Sequence, residues 1–163
     1  MRPIAVAAAL LLPALALAEP PEDPPLMSLE VQVSGGVAMN ASSRSTWHQA
    51  PVSVAAGAET AVIAQPWTSF YGMAFVEGVD AIDAGVKAGA RFRPTAVGMR
   101  VGGGGVVVIV PSVKVGADIA IGGCFPGHIR ICTDVEGLAF VSPDDGSVTT
   151  QLKLGFELGF DVL

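Results

Sequence analysis

From Leu152 to Val162 every second residue is apolar (Leu152, Leu154, Phe156, Leu158, Phe160, Val162), and the residues between are Lys153, Gly155, Glu157, Gly159 and Asp161. Side chains on a β-strand point alternately to opposite faces, so this period of two describes a strand whose faces meet different surroundings. The pattern recurs along the chain. Met27, Leu29, Val31 and Val33 oppose Ser28, Glu30, Gln32 and Ser34; Ala84, Val86, Ala88, Ala90 and Phe92 oppose Gly85, Lys87, Gly89, Arg91 and Arg93. Val97, Met99 and Val101 oppose Gly98, Arg100 and Gly102, while Val113, Val115, Ala117, Ile119 and Ile121 oppose Ser112, Lys114, Gly116, Asp118 and Ala120. Ile129, Ile131, Thr133 and Val135 oppose Arg130, Cys132, Asp134 and Glu136. No helix-period segment survives past residue 26, so the reading is all-β, with about eight strands.

Between these runs the boundaries are less regular. "NASSRSTWHQA" reads as a polar loop, Gln65-Pro66 as a turn, "EGVDAID" as a loop and "SPDDGS" as a strong turn. Tyr71, Met73 and Phe75 oppose Gly72 and Ala74. Leu138 and Phe140 appear on the parity opposite to Ile129–Val135, which predicts a bulge at Gly137.

The first residues are of another kind. Arg2 precedes an apolar run from Ile4 to Leu17 that ends in Ala16-Leu17-Ala18, the form of a secretory signal with cleavage after Ala18. Residues 19–26 follow as an acidic tether, because the four prolines and three acids between Glu19 and Pro25 can neither pack nor join a sheet. Residues 27–163 are then the single β domain. Loss of Arg2 lowers Lys+Arg from 9 to 8 against 15 Asp+Glu, a net charge of −7, which argues against nucleic acid as a partner.

The non-apolar faces decide what the sheet encloses. They carry Lys87, Arg91, Arg93, Arg100, Lys114, Asp118, Arg130, Asp134, Glu136, Lys153 and Glu157, separated by many glycines. Glycine weakens a solvent-facing strand but suits a tight interior filled by long side chains. Acids and bases in such an interior must pair. The expectation is an antiparallel up-and-down barrel, charges inside and the apolar parity outside against lipid, closed because no sheet edge is tolerated in hydrocarbon. The alternative is an exported soluble barrel or sandwich, apolar parity inward, binding a small apolar ligand.

With its signal peptide, its alternating strands of about the length needed to span a bilayer and its C-terminal strand Leu152 to Val162, the chain resembles the eight-stranded OmpA-like and OmpX-like outer-membrane barrels of Gram-negative bacteria. The resemblance implies an integral outer-membrane protein with a plugged interior and a structural or surface-interaction role. Lipid and the barrel-insertion machinery are the implied partners, the molecule is a monomer, and no cofactor or enzymatic activity is expected. The family usually ends in an aromatic residue; here Leu163 is last and Phe160 is the nearest aromatic in register.

Little else suggests chemistry. His48, near Ser43 and Ser45, is the only start for a rim hydrolase, and nothing in sequence fixes the nucleophile–base geometry that reaction needs. Gly102–Gly105 lacks the Lys-Ser/Thr ending and following helix of a phosphate loop. Cys124 and Cys132, flanking a Pro126-Gly127 turn in an exported chain, are expected to form a disulfide.

Overall fold

The computed structural model describes residues 26–40, 47–63, 65–78, 82–93, 98–125, 129–144 and 146–162. The signal sequence, nearly all of the tether, Ser43, Ser45 and His128 lie outside them. The strands are β1 (Met27–Asn40), β2 (Trp47–Gln49), β3 (Val52–Val62), β4 (Gln65–Gly78), β5 (Ile82–Phe92), β6 (Met99–Val110), β7 (Lys114–Phe125), β8 (Ile129–Val141) and β9 (Val148–Asp161). Each pairs antiparallel with its neighbour, and β1 pairs with β9, so the sheet closes. β2 and β3 both pair with β1, β2 at Val37–Met39 and β3 at Met27–Ser34, and share one position in the wall. The result is an eight-stranded barrel with one short extra strand.

Closure has a measurable pitch. Following Cα partners from Glu30 through Gly57, Met73, Lys87, Val106, Gly116, Phe140 and Thr149 returns to Asn40, ten residues further along β1 (40 against 30). That stagger over eight strands tilts them by about 40° and leaves an interior just wide enough for side chains. Apart from β2 the strands have 11 to 14 residues. At about 3.3 Å per residue and this tilt they stand about 28–35 Å tall.

Several boundaries differ from the sequence reading. The segment read as a polar loop contains β2, because Trp47, His48 and Gln49 continue the ladder along β1. Val62 pairs with Gln65, so Gln65-Pro66 opens β4 instead of marking a turn. Glu77 and Asp83, read as loop, are strand residues paired with each other. Gly102–Gly105, whose sequence reads as a flexible loop or a tightly bent strand region, lie inside β6. No bulge occurs at Gly137, since Ile119↔Gly137 and Asp118↔Leu138 keep register; the register shifts fall at Ala61/Val62 and Ala84/Gly85.

The parity rule also needs correction. On β4 the inward residues are Tyr71, Met73 and Phe75, and with Val106, Val108, Leu138 and Phe140 they form a buried cluster inside the barrel. Ionic side chains alone do not fill this volume at the density of a protein interior. Two glycines make the space for two rings: a Cβ on Gly85 would lie 2.7 Å from Phe75 Cζ, and one on Gly116 would lie 3.0 Å from Phe140 Cδ1. Each ring therefore lies over the glycine paired with it on the next strand. Elsewhere the expected faces appear: Lys153 and Glu157 are buried while Leu152, Leu154, Phe156 and Phe160 are exposed. Among the described strand residues, every Asp, Glu, Lys and Arg lies on the inward parity.

Candidate functional site: the charged barrel interior

Inward-pointing charges from all eight wall positions form groups of ion pairs at successive levels along the axis. At the rim that holds Met27 and Asp161, the Arg91 guanidinium gathers three carboxylates: Nη1 donates to Glu30 and to Glu59 Oε2 at 2.7 Å, and Nη2 to Glu157 Oε2 at 3.0 Å. Arg93 Nη2 reaches the same Glu59 oxygen at 2.5 Å, and Ser69 Oγ donates to Glu59. Arg130 donates to Ser28 Oγ, with Asp161 at 3.4 Å and Glu30 at 3.7 Å. Arg100 clasps Asp134 through Nε, at 2.7 Å, and Nη2, while its Nη1 donates to Glu157. A guanidinium's planar fork suits such multiple carboxylate contacts in a way an ammonium does not.

Midway, Lys87 Nζ donates to Gln32 Oε1 at 2.7 Å and to Glu136 Oε1 at 2.8 Å. Tyr71 Oη donates to Asp118 Oδ2 at 2.8 Å, and the Arg91 guanidinium lies 4.4 Å from the Tyr71 ring centroid. This cation–ring contact links the rim cluster to the middle of the barrel. Toward the other rim, Lys153 pairs with Glu77 at 2.5 Å and Lys114 with Asp83 at 2.8 Å.

All eleven charges singled out in the sequence thus lie on the inner wall. Lys87, Arg91, Arg100, Asp118, Arg130, Asp134, Glu136, Lys153 and Glu157 are buried. Arg93 and Lys114, nearer the rims, keep 21% and 31% of their side-chain surface. Sequence reading missed several of their partners. Glu30 stood on the charged parity of its strand and the same argument would have found it. Glu59 was hidden in an alanine-rich run, and Glu77 and Asp83 in a supposed loop.

Cys124 and Cys132 are direct partners across the β7–β8 hairpin and are bonded to each other. Their inward parity places the bridge within the same end of the barrel as Arg130 and Glu157, with Cys132 opposite Glu157 on β9.

Isolated charges are costly to bury and are tolerated when paired and hydrogen-bonded, and the network has that form apart from Asp118, which among the described residues is held by Tyr71 alone. Chemically it is a set of fixed counter-ions. No three His, Cys, Asp or Glu among the described residues are placed to hold a metal ion. His48 is exposed on β2. Comparison of the chain with models of known protein families finds no match, and comparison with curated proteins finds none either.

Proposed function

We propose that this protein is an integral outer-membrane barrel, standing in lipid as a structural or surface-interaction element whose lumen is plugged by its own side chains. The observation that carries the reading is the distribution of charge: the described strands put none on the outside and line the inside with it. A barrel that met water outside and an apolar ligand inside would need the reverse. The outward surface instead offers Leu29, Val54, Phe70, Val86, Ile119 and Leu154 at 46–67% exposure.

Two further features agree. The height of about 28–35 Å exceeds the apolar band of about 25 Å that such barrels present to a bilayer. Trp67, Phe70, Phe92, Phe125 and Phe160, all exposed, gather at the rim of Met27 and Asp161, where aromatic rings favour the interface between headgroups and hydrocarbon. Insertion by the cell's barrel-assembly machinery, a monomeric state and the lack of catalysis belong to the same proposal.

Fractionation tests it. Exported protein should remain in carbonate-washed outer membranes and require detergent for release; recovery in the soluble periplasmic extract would refute the proposal.

A further inference from the structure

We propose that the barrel interior holds one ordered water molecule at Asp118, and that this water, rather than a side chain, joins the Lys87 pair to the rest of the charge network. Asp118 is 8% exposed and sits on the inner wall of β7. Its Oδ2 accepts from Tyr71, but its Oδ1 is buried without a hydrogen-bond partner. No cation forms an ion pair with Asp118 among the described residues, whereas its neighbours Asp134 and Glu136 each have one. A buried acceptor left unmade is costly, so a native interior satisfies it.

What can satisfy it is set by the space in front of it. Asp118 lines a small cavity in the lumen together with Gln32, Tyr71, Lys87, Arg100 and Glu136, and that cavity has room for about one water molecule. An organic ligand does not fit. A metal cation is disfavoured because Lys87 and Arg100 share the cavity. An anion is disfavoured by Asp118 and Glu136. A water suits both signs: it donates to Asp118 Oδ1 and accepts from a base. Lys87 is the base with capacity, for an ammonium has three donors and two are engaged, on Gln32 and Glu136. Two to four polar partners are the usual complement of a buried water.

The site depends on small residues. Gly102 and Ala120 are paired across β6 and β7 and both border the cavity. A Cβ at Gly102 would lie 2.9 Å from Arg91 Cγ and would crowd that side of the cavity. The inference concerns the lumen alone and holds whether lipid, detergent or water surrounds the barrel, so its failure leaves the membrane proposal untouched.

The test uses the full mature chain folded in detergent micelles. Oxygen-17 magnetic relaxation dispersion should detect a long-lived internal water, and Ala120→Ser, whose hydroxyl enters the cavity, should lower the dispersion amplitude by about one water. Equal amplitudes in wild type and folded variant would overturn the proposal. Should the variant not fold, a crystal structure of the unaltered chain decides. A water within hydrogen-bond distance of Asp118 Oδ1 is expected; an empty site, an ion or a side-chain donor there would contradict it.

Discussion

Arg91 holds Glu30, Glu59 and Glu157 with one guanidinium, so its removal leaves three buried carboxylates short of a cation at once. Arg91→Leu should cost about 3–5 kcal/mol, the loss typical of breaking a buried pair from one side. Arg91→Lys should fall between, since it keeps the charge but not the fork. Urea unfolding of the refolded barrel, followed by tryptophan fluorescence, checks both. A second contrast separates two glycines that look alike in sequence. A Cβ on Gly85 would collide with Val107 O at 2.2 Å and with the Phe75 ring, whereas one on Gly72 meets nothing within 4 Å. Gly85→Val should therefore destabilise by about 1–3 kcal/mol through overpacking. Gly72→Val, on the outer surface, should be tolerated or mildly stabilising in the same unfolding assay.

At the scale of elements, what could be read depended on whether a strand kept one polarity on its inner face. β5, β7 and β9 do, and their inward residues follow directly from parity. β8 changes midway: Arg130, Asp134 and Glu136 are followed by Leu138 and Phe140 on the same inner face. The sequence pattern shifts there from charged to apolar while the register runs on, which is why it mimicked a bulge at Gly137. β4 is similar, with Tyr71, Met73 and Phe75 inside and Glu77 beyond them. Alternation gives the two faces of a strand, but the filling of a lumen is decided by residues on strands distant in sequence. The disulfide was legible because its two cysteines flank one hairpin. Closing that short loop should stabilise by roughly 2–3 kcal/mol in the chain-entropy model. Reduced protein should accordingly unfold at lower urea than oxidised protein, and equal midpoints would show that the bridge contributes nothing.

For the whole molecule, the decisive property is which side of the wall is dry and apolar. The terminal strand asks it most sharply, because Phe156 points outward at 46% exposure and its neighbour but two, Lys153, is buried at 2% and paired with Glu77. A charge at the lipid-facing midplane of such a barrel costs about 2–4 kcal/mol, so Phe156→Lys should impair insertion into vesicles. Lys153→Met should leave Glu77 unpaired and loosen an inserted barrel without expelling it. The most direct measurement places a spin label at position 156 or 153 of the barrel reconstituted in lipid and compares quenching by a lipid-soluble and a water-soluble agent. The label at 156 should be quenched from the lipid phase, and the label at 153 by neither agent. Protection of 156 from lipid, together with free access of the aqueous quencher to 153, would contradict the account.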